Sequence, residues 1–197
     1  MDAAQRLARL VQLGRAVGAD TKDVAGAFLN VRALLDDAGV AYRVVGGLAV
    51  VHHGYARFTE DVDVLLEAGG PAALAPHLSA HGFTREAHDR LRHDDTGVRV
   101  DLLEAGQPMP RPGCPVYPPV DELGDAPSDA PFADLKGLIE LKLHARRKQD
   151  EADVVALLKP LEETDYLAVE SQLPVALRPA LLRLREDALE ELRFERA

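Results

Sequence analysis

The chain has 197 residues, 47% hydrophobic and 28% charged, with a formal net charge of -10 from 33 acidic and 23 basic side chains. Such a size and balance fit one globular domain with a small helical appendage, and the acidity argues against a generic nucleic-acid coat while leaving room for a local basic cleft. A single cysteine, Cys114, rules out a disulfide framework within the chain and a zinc site built on cysteines, so a reducing, cytoplasmic setting is the expectation.

Met1 to Val17 carries both charge signs and no long apolar run, so no signal peptide is expected there, and no stretch reaches the length of a membrane span. Residues 3–16 read as a short amphipathic helix ended by Gly18. Thr21 with Asp23 starts a second helix to about Asp37, with Val24, Phe28, Val31, Leu34 and Leu35 on one face. Gly39 closes it. Tyr42 to Val45 reads as a first strand, Gly46-Gly47 as a turn, and Leu48 to His53 as a short helix. Asp61 to Leu66 is a strand in which Asp61 and Asp63 share one face and Val62, Val64 and Leu66 the other. A helix is expected over Ala72 to Ala80, then weak strands near Phe83 to Ala87 and Arg90 to His93. The Asp94-Asp95-Thr96-Gly97 hairpin turn leads into a strand over Val98 to Leu103 that contains Asp101. Residues 105–131 hold most of the prolines and read as a surface excursion, with a short strand near Val116 and Tyr117. Helices follow from Phe132 to about His144, from about Gln149 to near Pro160, and from Pro179 to about Phe194. The expected fold is α/β, a mixed sheet of four or five strands flanked by helices. Residues 1–160 form the main domain and 161–197 a C-terminal helical extension.

The chemistry concentrates in three places. Two glycines let the backbone turn tightly and approach a phosphate, and the helix after them aims free amides and its positive end at an anion. Asp61 and Asp63, two apart on a strand, point the same way and can share metal ions. Asp101 sits in an apolar strand, where a carboxylate is costly unless paired, hydrogen-bonded or metal-bound. Hard carboxylate oxygens suit magnesium, and two such ions about 3.5–4 Å apart are the usual device for in-line displacement at phosphorus. Arg57 can contact phosphate, and Thr59 can shape the loop before the carboxylates. Lys142 falls on the apolar face of its helix with Leu138 and Ile139. It either reaches a triphosphate across the cleft, with Arg146 or Lys148 nearby, or snorkels to water. Asp150 and Asp153 can pair with Arg146 or Arg147. His52 and His53 are read as packing residues at a helix end. No P-loop, no Gly-x-Ser-x-Gly and no metal-binding histidine spacing occurs, and aromatics at 5% disfavour a single-strand stacking platform.

The glycine pair, the thirteen residues between Gly47 and Asp61, the Asp61-x-Asp63 strand and the later Asp101 together resemble the DNA polymerase beta-like nucleotidyltransferase superfamily. A closer resemblance is to the AbiEii type, from abortive-infection and toxin-antitoxin systems. It rests on Arg57-x-Thr59-x-Asp61-x-Asp63 and on Lys142, Arg146, Lys148, Asp150 and Asp153, and it covers residues 28–160. The resemblance implies magnesium-dependent transfer of a nucleoside monophosphate from a nucleoside triphosphate. Asp61, Asp63 and Asp101 would be the catalytic and metal-holding residues, with Gly46, Gly47, Arg57, Thr59, Lys142 and Arg146 on the nucleotide. The acceptor would be RNA or protein, within a toxin-antitoxin or phage-defence setting that includes a cognate partner. Two alternatives stay open. A small-molecule nucleotidyltransferase of the antibiotic kind would show an enclosed acceptor pocket beside Asp101. A non-catalytic antitoxin or regulatory protein would show Asp101 turned away, or Lys142 paired internally and blocking the cleft.

Overall fold

The computed structural model describes residues 23–124 and 131–195; the helix expected over residues 3–16, with Gly18 and Thr21, lies outside them. Helix α1, Val24–Asp37, is capped by Asp23, whose carboxylate accepts from the Gly26 amide. It buries Ala27, Phe28, Val31, Leu34 and Leu35, and Gly39 takes up a left-handed φ of 64° just beyond its end.

Strand β1, Tyr42–Val44, runs into helix α2, Gly46–His52, and then strand β2, Asp61–Leu66. The two glycines form the first turn of α2 itself and do not precede it as a separate turn. The helix expected over Ala72 to Ala80 is present only as α3, Gly70–Ala73, followed by turns and a 3-10 turn at Ser79–His81. Pro76 accounts for the stop, because it offers no amide and disfavours helical backbone at Ala75. Strands β3, Phe83–Ala87, and β4, Arg90–His93, form a hairpin. A turn at Asp94–Gly97 joins β4 to β5, Arg99–Glu104, with Gly97 at φ 65°.

Among the described residues these strands make one sheet in the order β1-β2-β5-β4-β3, mixed because β2 and β5 run parallel while the other neighbours are antiparallel. The pleat then sorts the side chains. Val62 pairs with Val100, Val64 with Leu102 and Leu91 with Val100; this apolar face and α1 belong to one continuous core. Buried His93 ties the face to α1 through a 2.7 Å contact with the side-chain amide of Asn30. The opposite face carries Asp61 beside Arg99, and Asp63 beside Asp101 beside Arg90.

The helix expected from Phe132 starts three residues later, as α4, Leu135–Ala145. Pro131 to Ala133 instead run alongside β1: the Val44 amide donates to the Pro131 carbonyl and the Ala133 amide to the Val44 carbonyl. Asp134 then caps α4 by accepting from the Gly137 amide at 2.6 Å. Helix α5 spans Lys148–Leu158, α6 Glu163–Gln172 and α7 Arg178–Glu195. The sequence pattern carries no sign of α6, since it buries only Tyr166 and Val169. Leu173, Leu177, Leu181 and Leu184, from α6 onward, pack into the same core as the sheet.

The described part of the proline-rich excursion is mostly exposed, as expected, but it sends Met109, Tyr117, Val120 and Leu123 into the core. Gly106 donates to the Tyr117 carbonyl, Tyr117 to Gln107 and Met109 to Pro115, closing a short ladder that turns Met109 and Tyr117 inward. No helix among the described residues is long and apolar enough to cross a membrane.

Candidate functional site

The carboxylate face of β2 and β5 opens on a cavity of about 560 Å³. Gly46, Asp63 and Asp101 form its floor, and Leu138, Leu141 and Lys142 of α4 form the opposite wall. The excursion supplies Met109, Cys114 and Tyr117 as a third side. The register explains the floor, because Asp63 and Asp101 are direct neighbours across a parallel pair, and Asp61 lies one pleat away on the same face.

Gly46 is needed here for two reasons. Its φ of 60° lies in the left-handed region, and a Cβ built on it would overlap the Asp63 carboxylate. Gly47 is equally crowded from another side: a Cβ there would come within 2.5 Å of the Thr59 hydroxyl and 2.9 Å of the Arg57 guanidinium. The glycine pair therefore lets three expected site residues pack onto one backbone turn. Thr59 holds the first carboxylate, its hydroxyl lying 3.2 Å from Asp61 Oδ1.

Burial pushes Asp63 up to about 6, assisted by the charges of Asp61 and Asp101 and opposed by those of Arg147 and Lys142. Burial also pushes the Tyr117 phenol up, with the Asp63 charge adding to it. Asp61 and Asp101 are both engaged by arginines. Arg99 places Nη2 2.7 Å from Asp61 Oδ2 and Nε 3.2 Å from Asp101 Oδ2, while Arg90 Nε lies 3.2 Å from Asp101 Oδ1.

The donor set is chemically suited to magnesium: three hard carboxylates on one sheet face, one of them held at a raised pKa by burial and by its two acidic neighbours. Its present arrangement is not a closed ligand set, and among the described residues no three His, Cys, Asp or Glu side chains converge as one.

Lys142 neither reaches into the cleft nor snorkels to water. It is buried, with Nζ 2.6 Å from Asp153 Oδ2 and 3.4 Å from Asp150 Oδ1. Arg57 is drawn into the same network, with Nε 3.1 Å from Asp153 Oδ1, a charge contact without hydrogen-bond alignment. The cavity stays open despite this internal pairing, with Lys142 in its wall.

Asp150 also receives Arg147, whose Nε donates at 2.7 Å. Although burial opposes its charge, Arg147 and Lys142 hold Asp150 below the usual carboxylate range. Arg146 adopts φ 52° at the end of α4, donates to the Leu143 carbonyl and is not among the cavity walls. Arg147, which lines the cavity and acts on Asp63 and Asp61, occupies the place expected for Arg146. His52 stacks on Phe132 at 4.2 Å, and His53 Nε2 lies 2.9 Å from the Ala133 carbonyl oxygen, the packing role expected of both. Arg90, Arg99 and Tyr117 are site residues that sequence reasoning missed. For the arginines a signal existed, since Arg99 is two residues from Asp101 on one strand and so shares its face.

No protein-family profile matches the sequence, and no curated protein does either. Solved structures do match. ANT(2'')-Ia in complex with adenylyl-2''-tobramycin superposes with a TM-score of 0.50 at 14% identity, over 80% of this chain and 95% of that one. A solution structure of the antibiotic-resistance factor ANT(2'')-Ia aligns at 16% identity over 85% of this chain and 95% of that one, with a TM-score of 0.48. The chain thus has a nucleotidyltransferase-like fold, a mixed sheet with flanking and C-terminal helices.

Two outcomes follow for stability. Between about pH 4 and 6, native Asp63 retains a proton that the unfolded chain has lost, so its contribution to stability falls as pH rises through that window and stays lost above it. Asp63→Asn removes this cost: it raises stability at pH 7 by about 2 kcal/mol and leaves it unchanged at pH 4, read by thermal unfolding at both pH values. Lys142→Ala removes the buried cation shared by Asp150 and Asp153, leaving them only Arg147 and, for Asp153, Arg57 and Gln149, and lowers stability by about 3 kcal/mol in urea denaturation.

Proposed function

We propose that the protein transfers a nucleoside monophosphate from a nucleoside triphosphate to a hydroxyl of a small-molecule acceptor, releasing pyrophosphate. The observation that carries this reading is the side-by-side placement of Asp63 and Asp101 on the floor of a walled cavity. A cavity of about 560 Å³ has the size of a small-ligand site and not of a broad RNA or protein footprint. The likeness to ANT(2'')-Ia, solved with adenylyl-2''-tobramycin, supports the same choice of acceptor. Nothing comparable supports an RNA or protein acceptor, an AbiEii-type assignment or a toxin or antitoxin partner.

In this reading Asp101 accepts the proton of the acceptor hydroxyl as its oxygen attacks the α-phosphorus. The bond from that phosphorus to the oxygen bridging to the β-phosphate breaks, and pyrophosphate leaves with the electron pair. Amides at the start of α2, at Gly46 and Gly47, face the phosphates, and Arg147 supplies positive charge beside Asp63. Asp61, Asp63 and Asp101 would hold magnesium, which when bound neutralises triphosphate charge. Lys142 and Arg57 act from behind, fixing α4, α5 and the loop that carries Thr59 and Asp61.

The test is incubation of the protein with each α-labelled nucleoside triphosphate, magnesium and pools of hydroxylated small molecules, aminoglycosides included. Labelled acceptor and stoichiometric pyrophosphate are expected from the wild type. Asp101→Asn lowers kcat by about 100-fold or more with nucleotide affinity retained. Label passing to RNA or protein alone, or full activity in Asp101→Asn, contradicts the reading.

A further inference from the structure

The proposed function leaves Arg90 and Arg99 without a role, yet they occupy the carboxylate oxygens that a metal would need. Every oxygen of Asp61 and Asp101 is engaged: Asp61 by Thr59 and Arg99, Asp101 by Arg99 and Arg90. Chance side-chain placement does not explain this. Arg99 and Asp101 are alternate residues of β5, Arg99 is the Cα partner of Asp61, and Arg90 is the Cα partner of Asp101. The pleat forces all of them onto one face.

The two guanidiniums are also replaceable partners. Arg99 is 46% exposed and Arg90 42%, so each reaches water as well as the carboxylates. Exposed ion pairs of this kind shift an equilibrium by no more than about fivefold each, well within what a divalent cation can displace. Arg90 lines the cavity and Arg99 bridges Asp61 and Asp101 beside it, and a guanidinium matches phosphate oxygens in a two-pronged fashion.

We propose that Arg99 and Arg90 are positioning residues that form an exchangeable clamp: they hold Asp61 and Asp101 while the site is empty, and move to the phosphates of the incoming nucleotide as the carboxylates take the cation. The inference rests on the nucleotidyl-transfer reading above and adds a coupling to it. Cation and triphosphate must bind with positive cooperativity, because each removes the partner that the other has to displace. A cation alone has to break the clamp unaided.

The clamp is tested with the full chain by titrating Mn²⁺ into wild type, Arg99→Gln and Arg90→Gln. Free Mn²⁺ is followed by electron paramagnetic resonance, without nucleotide and then with an α,β-methylene nucleoside triphosphate that cannot react. Arg99→Gln is expected to bind Mn²⁺ about tenfold more tightly than wild type without nucleotide, and Arg90→Gln to shift it less, having one contact in place of two. The analogue is expected to tighten Mn²⁺ binding strongly in wild type and much less in Arg99→Gln. Both substitutions are at half-exposed positions, so the fold is retained, and circular dichroism checks it. Unchanged or weaker Mn²⁺ affinity in Arg99→Gln overturns the clamp while nucleotidyl transfer stands. Absence of Mn²⁺ binding in every variant, with and without the analogue, removes the metal-holding reading and the clamp with it.

Discussion

Strands β2 and β5 lie parallel and in register, so that Asp63 meets Asp101 and Asp61 meets Arg99 across the pair. Slipping that register by one residue would send the carboxylates into the apolar face and bring Val62 and Val64 to the cavity. The hydrophobic pattern prevents the slip, since Val62, Val64, Val100 and Leu102 all belong to the buried core. Gly46 adds a second lock. Only a residue without a side chain lets the start of α2 sit against the Asp63 carboxylate, and this close approach brings the amides of the helix beside the acidic floor.

Placing three carboxylates together is costly, and the rest of the site can be understood as managing that cost. Arg90 and Arg99 compensate Asp61 and Asp101 from the sheet itself, while Asp63, deeper in, bears the strain as a raised pKa. Behind the floor, buried Lys142 joins Asp150 and Asp153 of α5, and Asp153 also faces Arg57 ahead of β2. The Asp153 carboxylate, shared by Lys142 and Arg57, thereby links both closing helices to the loop that carries Thr59. The network pairs Lys142 internally while leaving the cavity it lines open.

Much of this was legible in the sequence. Alternation placed Asp61 and Asp63 on one face, Asp94–Gly97 announced the hairpin into β5, and the apolar setting of Asp101 marked it as compensated. Other features depended on contacts between distant segments. The lysine on the apolar face of α4 read equally as a phosphate ligand or a snorkelling residue, and its true partners, Asp150 and Asp153, came from the next helix. The proline-rich segment looked like surface because its composition is turn-forming; Met109 and Tyr117 are turned inward by a short ladder that periodicity cannot reveal. Helix α6 has too narrow an apolar stripe to be seen. Phe132 does not start the helix as expected, because the backbone around it pairs with Val44 of β1, 88 positions earlier and beyond the reach of any local pattern, and Asp134 is the actual cap.

The proposed reaction requires the acidic floor to take a triphosphate together with a divalent cation. Its most direct test is calorimetric titration of each nucleoside triphosphate, with and without magnesium, into wild type and into the double variant Asp61→Ala/Asp63→Ala. Magnesium-dependent binding of at least one nucleotide to the wild type, and its loss in the double variant, are the expected results. No binding to the wild type under any of these conditions, or equal binding to the double variant, would contradict it.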